Sequence, residues 1–537
     1  MYKNYTYMFT NPLIEEGLDD RTNHVIVGEL PLTNVSFTKQ LNSVGTFTGE
    51  LLISGVNTTA LNVFDSTSPA KRGLIVMENG SPIWGGIIWD RSYSSDSQKI
   101  IVTAKEFLSY LDRRKVIWKM DINDVTTSPI SGGTRITYEN RTALPSPFIV
   151  GQTVTITGVN PSAFNITGAI VAASAFSFDI DVTPAITATY VASPQFATVT
   201  SCSASGGVLT YVASNSFKSG QVVKIVNASN EIFNTTGVIT AANAVSFALS
   251  TNFTGSASAT TADAYTLRGT AIAAEAVFTN AEQFDVVNSM LKLTKSLPNG
   301  DIKIIAYTGS PSGVEVSKTY YSYEMKTVLS AITDLSQSGN GFDFDLNLYN
   351  VNVGGVDFTF KELALYYPRK GNIYSHTSTN EAVPVFEFPA GNVVSYEYPE
   401  DGIITANTFY AVGAGSNEGQ LIATSVNTDA VSTDTDYPIL EEAGNYSDIE
   451  DWALLSQISA SAVAAVSYPP VVIKMVISGS VGVDYSTGDD ARVRIIDSRF
   501  PTGLDAIYRI IAVTIQPGED GPERITVTLA NPTGVAI

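Results

Sequence analysis

Apolar and polar residues alternate with a period of two along most of this chain, the pattern of strands with one buried face. GELPLTNVSFTKQL, from Gly28, and TFTGELLISG, from Thr46, read as half-buried strands. RGLIVMENGSPIWGGII, from Arg72, reads as an apolar strand, a turn at Glu78-Asn79-Gly80 and a second apolar strand. A polar loop follows, then the strand KIIVTA from Lys99. Thr103-Ala104-Lys105-Glu106 has the capping-box pattern, Thr at N-cap and Glu at N3, which predicts a helix opening there. Its apolar side would be Phe107, Leu108 and Leu111. Asp112-Arg113-Arg114 would place cations on its last turn, where the helix dipole favours them.

The order returns near the C-terminus. Val493 to Ile496 answers Leu74 to Met77, Tyr508 to Ile515 answers Trp84 to Trp89, and Arg524 to Leu529 answers Lys99 to Thr103. Identity between the two stretches is low, and what repeats is the order of strand, turn, strand, loop and strand. The middle of the chain changes period. Asn280-Ala281-Glu282-Gln283 predicts the cap of a helix with the stripe Phe284, Val287 and Leu291, and a second helix carries Met325, Leu329, Ile332 and Leu335. Gly339-Asn340-Gly341 then turns into FDFDLNLY, with Phe342, Phe344, Leu346 and Leu348 on one face. Ser447-Asp448-Ile449-Glu450 predicts a cap for the helix WALLSQISASAVAAV, which Pro469-Pro470 stops.

Residues 126–268 hold only five basic and five acidic side chains, and they contain a repeat with a gap-free offset of 69 residues. Phe148/Phe217, Gly151/Gly220, Gln152/Gln221, Phe164/Phe233, Asn165/Asn234, Gly168/Gly237 and Phe178/Phe247 coincide. Two copies make tandem small β-modules, since a solenoid needs more. The tract reads as a peripheral insertion.

With 537 residues there is room for roughly three to five domains. The fold class expected is mainly β and multidomain. A first β-barrel domain covers 1–125, the inserted tandem β-modules 126–268, an α+β middle domain 269–385, and a second β-barrel domain with a helix 386–537. Hydrophobic residues make up 44% and charged residues 15%, which excludes a disordered chain. The net charge of −21 argues against a stable grip on phosphate through a basic surface. From Gly371 to Ile473 there is no Lys or Arg and there are 14 Asp and Glu, two thirds of the net charge. The single Cys202 excludes an internal disulfide framework. MYKNYTYMFTNPLIEEG has no signal-peptide pattern, and no run of about 18 apolar residues predicts a membrane span. Synthesis and folding in a cytosol are expected.

Catalytic chemistry finds little to stand on. His24 and His376 lie in unrelated contexts, without the partners a metal cluster or a triad needs. Cys202 sits among small residues and reads as a packed thiol. Asp343/Asp345, Glu400/Asp401 and Asp489/Asp490 are paired carboxylates, which a glycosidase would need across a cleft. Asp343 and Asp345 alternate with apolar residues, so a solvated strand face is the expected reading. Asp434-Thr435-Asp436 lacks calcium-loop spacing, and GNVVSYEYPEDG lacks the Lys and helix of a phosphate loop. Trp84, Trp89 and Trp118 read as packing rather than as a carbohydrate platform. No residue is assigned a catalytic, cofactor-binding or metal role, and no cofactor is expected.

NGSPIWGGII with KIIVTAKEFLSYL, the central helices, and STGDDARVRI with YRIIAVTIQPGEDGPERITVTL resemble the tail hub proteins of long-tailed bacteriophages, also known as baseplate hub or minor tail proteins. The resemblance covers about three quarters of the chain and rests on strand and turn patterns. It implies two related β-barrel hub domains per chain and a homotrimeric ring that mimics sixfold symmetry. Such a ring joins a hexameric tail tube to threefold tip parts. The partners implied are a distal tail protein or tail tube ring, the tape measure protein C-terminus, and tail tip or fibre proteins. DNA would pass through without being bound, and the acidic tract would line that path. The localisation implied is the virion tail tip, after synthesis in the host cytoplasm. The tract 126–268 departs from the hub pattern and looks like a phage-type β-repeat insertion. Two other functions compete: a tail-associated cell-wall hydrolase, and a glycan-binding adhesin for which the repeat is the best support.

Overall fold

Strand-forming residues dominate the chain, and the computed structural model is mainly β, with several sheets and few helices. It describes residues 3–13, 24–53, 62–122, 124–140, 144–159, 162–186, 196–217, 219, 222–253, 255–266, 269–297, 300–338, 340–353, 356–374, 383–416, 419–431, 437–446, 449, 451–469, 471–478, 484–518 and 522–531.

Twelve of the sixteen described strands of the largest sheet form two halves. The first uses β1 (Tyr5–Pro12), β2 (Thr33–Gln40), β3 (Thr46–Leu52), β4 (Arg72–Glu78), β5 (Ser81–Ser94) and β6 (Lys99–Glu106). The second uses β7 (Val385–Phe388), β8 (Val393–Glu397), β9 (Val472–Ile477), β10 (Asp490–Ile495), β11 (Leu504–Gln516) and β12 (Arg524–Ala530). Hydrogen bonding orders the first half β1-β4-β5-β6-β3-β2 and the second β7-β10-β11-β12-β9-β8, the same path. The one inversion is that β1 meets β4 antiparallel while β7 meets β10 parallel.

The likeness extends to irregularities. A bulge at Trp89 interrupts the β5–β6 ladder, and one at Ile511 interrupts β11–β12. Beside each bulge a loop donates to the strand: Ala70 N–H to the Ile88 carbonyl at 2.7 Å, and Gly488 N–H to the Ile510 carbonyl at 2.8 Å. The registers equate Leu74 with Ala491 and Val76 with Val493, two residues away from the match read in the sequence. Each half wraps its own apolar core. Phe37, Phe47, Trp84, Ile88 and Val102 fill the first. Ile473, Met475, Val493, Ile510 and Val527 fill the second. The halves are nevertheless continuous, because β2 pairs antiparallel with β11 from Phe37↔Ile515 to Gln40↔Ala512.

Four local expectations change. Thr103 to Glu106 belong to β6, and the turn after them is a 3-10 helix, Phe107–Arg113, with no side-chain cap. The Glu106 side chain faces inward, accepting from Gly45 N–H, so it cannot complete a capping box. The helix Gln283–Lys295 is capped by Glu282, not Asn280, while Phe284, Val287 and Leu291 are buried as expected. The helix Val328–Ser336 buries Val328, Ala331, Ile332 and Leu335, and Met325 stands outside it, left-handed and exposed. The helix Trp452–Val466 is capped by Asp451; Ser447, Asp448 and Glu450 lie outside the described residues.

The repeat is nested rather than tandem. The first copy's sheet includes Trp118–Ile122 and Gly269–Ala273, and the second copy, from Phe196 to Thr266, lies between Val182 and Gly269 of the first. The offset of 69 is visible in the packing. Phe148 meets Phe178 edge-on with centroids 4.9 Å apart, and Phe217 meets Phe247 at the same distance. Asn165 accepts from Val159 N–H as Asn234 accepts from Ala228 N–H. The first copy shares one continuous core with the middle helices, so it is not a peripheral attachment. The second has a core of its own.

The acidic stretch, free of Lys and Arg, contains a separate unit between β8 and β9. Strands Thr408–Val412, Ile422–Val426 and Glu441–Asn445 pack against the helix Trp452–Val466. In the middle of the chain Lys361 is fully buried 4.8 Å from the Phe107 ring centroid, and burial pushes its ammonium well below the usual lysine range.

Within the second copy, residues 251–261 span the gap that residues 183–268 span in the first. A linker of about ten residues therefore fits between Val182 and Gly269. Replacing 183–268 with such a Gly/Ser linker is expected to leave a soluble chain whose far-UV spectrum loses only the second copy's strands. Aggregation of the shortened chain would show that the second copy supports the rest.

Candidate functional site: the seam between the two sheet halves

The β2–β11 pairing joins residues nearly the whole chain apart, and charged groups pin it at both ends, partly exposed at one and buried at the other. At one end Tyr5, on β1, stacks edge-on against Phe37 and donates its hydroxyl to Glu78 and to Glu523 just before β12. Lys3 bridges the same two carboxylates, at 2.7 Å to Glu78 and 3.2 Å to Glu523.

At the other end the strand Asp343–Val353, which pairs with Val356–Tyr366, runs in beside the β2–β3 turn. Asn42 donates to the Asp343 carboxylate at 2.7 Å and accepts from Phe344 N–H at 2.7 Å. Asp343 also pairs with Arg509 of β11 and accepts from Lys370 N–H at 2.6 Å. Asp345 pairs with Lys370, whose ammonium also reaches Thr487 Oγ1 at 3.0 Å. Arg369 pairs with Asp490, and Asp489 accepts from Asn372 and Ser486 backbone N–H groups at 2.7 and 2.8 Å. Asp343 and Asp345, expected on a solvated face, are thus only 5% and 8% exposed, and the pair Asp489 and Asp490 is likewise buried, at 6% and 1%. The strand alternates as read, but at Asp343 and Asp345 its second face meets protein instead of water, while Asn347 and Tyr349 further along that face are exposed.

Two glycines make this geometry possible. Gly371 and Gly488 both have positive φ, 88° and 100°, and a Cβ on Gly371 would lie 2.3 Å from the Gly488 carbonyl carbon. The chain from Lys370 therefore passes the loop before β10 backbone to backbone. Glu106 closes the site from β6. Burial first, and the Asp345 charge second, push its carboxyl up to about 8, against the pull of Gly45 N–H, Lys39 and Lys370.

The arrangement holds elements of the middle and of both sheet halves together. Of the remaining candidates, Glu400 and Asp401 are exposed, with Glu400 bonded to Arg499. Cys202 is buried, which pushes its thiol up to about 11. Trp84 and Trp118 are fully buried, and Trp89 donates to Ser109 Oγ at 2.7 Å beneath the Arg113 guanidinium. His24 lies on the strand His24–Glu29; His376, Asp434 and Asp436 lie outside the described residues. Among the described residues no group of three or more His, Cys, Asp or Glu is placed to hold a metal ion, and no helix is long and apolar enough to cross a membrane. Arg369, Lys370 and Arg509 went unread in the sequence. The signal available was their scarcity: Lys370 is the last cation before the long acidic stretch.

No family model and no curated protein matches the chain. Solved structures do. The chain is similar to a tail protein from Neisseria meningitidis MC58, with 9% identity, 99% of each chain covered and a TM-score of 0.41. It is similar to the 43 kDa tail protein of prophage MuSo2 from Shewanella oneidensis, with 9% identity, 98% of each chain covered and a TM-score of 0.40. A prophage tail protein from Listeria monocytogenes EGD-e follows at 8% identity, covering 97% of this chain and 94% of that one, with a TM-score of 0.36.

Lys370→Met would leave Asp345 buried without its cation, at a cost of about 3–5 kcal/mol. Amide exchange at Lys39, Leu41 and Val513 is expected to accelerate by roughly two orders of magnitude or more; unchanged exchange would remove the cluster from the seam. Glu106 sets a pH dependence. The folded chain keeps this proton up to about pH 8, whereas an unfolded glutamate releases it near 4.5. Stability therefore falls as pH rises through that window. Glu106→Gln keeps an acceptor for Gly45 N–H and is expected to flatten the slope of melting temperature between pH 5 and 8. An identical slope in the variant would contradict the assignment.

Proposed function

We propose that this chain is a structural protein of a phage-type tail, a hub that assembles as a ring of three copies. The observation that carries the reading is the repetition of one strand path in the two halves of the large sheet, down to the bulges at Trp89 and Ile511. Three chains then offer six near-equivalent halves, which can seat on a sixfold tube while the closed symmetry of the ring stays threefold. The sequence resemblance to tail hub proteins supports the same reading. The partners proposed are a distal tail protein or tube ring on one side, tip or fibre proteins on the other, and the end of a tape measure protein.

The acidic unit between β8 and β9 suits a channel through which DNA passes unbound. Its described carboxylates Asp429, Glu441, Glu442 and Asp451 are exposed, and its stretch of sequence carries no Lys or Arg to neutralise them. At physiological salt their repulsion of phosphate reaches about 8 Å, enough to keep a duplex off the wall of a narrow channel. The role proposed is non-enzymatic. The carboxylate pairs Asp343/Asp345 and Asp489/Asp490 are consumed in the seam, which leaves a hydrolase reading without its best acid and base.

The test is the mass of the purified particle in solution. Three times the chain's 57.2 kDa is expected; a monomer at micromolar concentration would count against the hub.

A further inference from the structure

The in-chain seam uses only half of the edges that the repeat provides. The registers equate β5 with β11 through their bulges, so Asp90, Arg91, Ser92 and Tyr93 occupy the places of Ala512, Val513, Thr514 and Ile515. Those four residues of β11 pair with β12 on one side and with β2 on the other. The matching four of β5 pair with β6 on one side. Among the described strands none pairs with their other side. Asp90, Ser92 and Tyr93 are exposed, Tyr93 at 51%.

The strand that would fit there is also present, and its edge is open. The second half's counterpart of β2 is β8. The β2–β3 pair Phe37↔Phe47 corresponds to Tyr398 opposite Ile473, because the β8–β9 register runs through Glu397↔Lys474 to the bridge Glu400↔Val471. Phe37 to Gln40 thus map onto Tyr398, Pro399, Glu400 and Asp401. Strand β8 ends its sheet, pairing only with β9. Residues 399–404 are all exposed, and Ile403, in the place of the well-anchored Asn42, is 93% exposed. One chain cannot bring these two edges together, because the seam has already used the edges between them.

We propose that residues 398–401 of one copy add as an antiparallel strand to residues 90–93 of the next copy, repeating between chains the contact that β2 and β11 make within one. The register places Glu400 opposite Arg91 and Tyr398 opposite Tyr93, an opposite-charge pair and an aromatic pair of the kind that stabilises neighbouring strands. Within one chain Glu400 bonds Arg499, and Arg91 bonds the Phe64 carbonyl and Thr67 Oγ1, so the ion pair forms by sharing or exchanging these contacts. Pro399 takes the place of Thr38. Leu41 N–H bonds across the seam to the Ile511 carbonyl at 2.9 Å, so in this antiparallel ladder the cross-seam donors are Leu41, Lys39 and Phe37. Thr38 N–H points the other way, and a proline there removes no bond from the new seam. Asp401 meets Asp90 at the solvent rim, where a like-charge contact is weak. The contact is head-to-tail, so it closes a ring only if the rotation fits a whole number of copies. This inference rests on the hub reading, which sets that number at three.

Cysteine pairs test it in a Cys202→Ser background. Thr38→Cys with Thr514→Cys is the in-chain reference, since those hydroxyls lie 2.7 Å apart. Ser92→Cys with Pro399→Cys is the equivalent pair between chains. The expected result is a particle of threefold mass that runs as a covalent trimer on a non-reducing denaturing gel. A threefold particle that stays uncross-linked at 92/399 while 38/514 closes would overturn the strand pairing and leave the hub reading standing. A monomer would overturn both, and cross-linking that stops at a dimer would overturn the head-to-tail ring. If the cysteine chains fail to fold, charge exchange decides. Arg91→Glu and Glu400→Arg should each weaken the trimer at least tenfold and the double exchange should restore it; equal association by all three would overturn the pairing.

Discussion

Charge buried where the two sheet halves meet is the constraint on which the rest of the molecule depends. Asp343 and Asp345 enter from the middle of the chain, Arg369 and Lys370 from the segment that leads to the second half, and Arg509, Asp489 and Asp490 from the second half itself. A buried ion pair stabilises little compared with an apolar contact of the same size, because each ion gives up its water. What such a cluster does is penalise every arrangement in which one member lacks its partner. The second half cannot slide or rotate along β2 without stranding Arg509 or Lys370. The seam is therefore defined to one register, and the relation between the halves is rigid enough to be repeated.

That rigidity gives the duplicated strand path its meaning. Two copies of a fold on a flexible tether would be two domains. Two copies that share a hydrogen-bonded seam define a rotation, and the same rotation can act again between chains. The acidic unit and the nested β-modules hang on this frame at different points. The acidic unit fills the β8–β9 connection, which in the first half is the short turn that Asn42 ties to Asp343. The first β-module merges its core with the middle helices, so it belongs to the frame, while the second hangs from it by two chain crossings and the ion pair Lys224–Asp121 at 3.1 Å.

Much of this is legible in the sequence. The apolar strands at Leu74 to Met77 and Val493 to Ile496, and the strands after them, pointed to a repeated strand order, and the offset of 69 pointed to the paired modules. The seam was not legible. Backbone pairing between Phe37 and Ile515 leaves no mark on residue type beyond that of any strand, and 478 positions separate them. Alternation at Asp343 and Asp345 says that two faces differ, without saying that the polar face meets protein. Thr103-Ala104-Lys105-Glu106 carries the letters of a cap, yet the same letters suit a strand whose last carboxyl turns inward to Gly45. The nesting of the second module in the first was hidden because Trp118–Ile122 and Gly269–Ala273 resemble each other only as generic strands.

The central claim is that one rotation relates the halves within a chain and between chains. Electron micrographs of the purified particle, averaged without imposed symmetry, measure that rotation directly. The account predicts a ring of six similar lobes whose true symmetry is threefold, with the lobes alternating between two forms. A ring of another number, a twofold particle or isolated chains would contradict it.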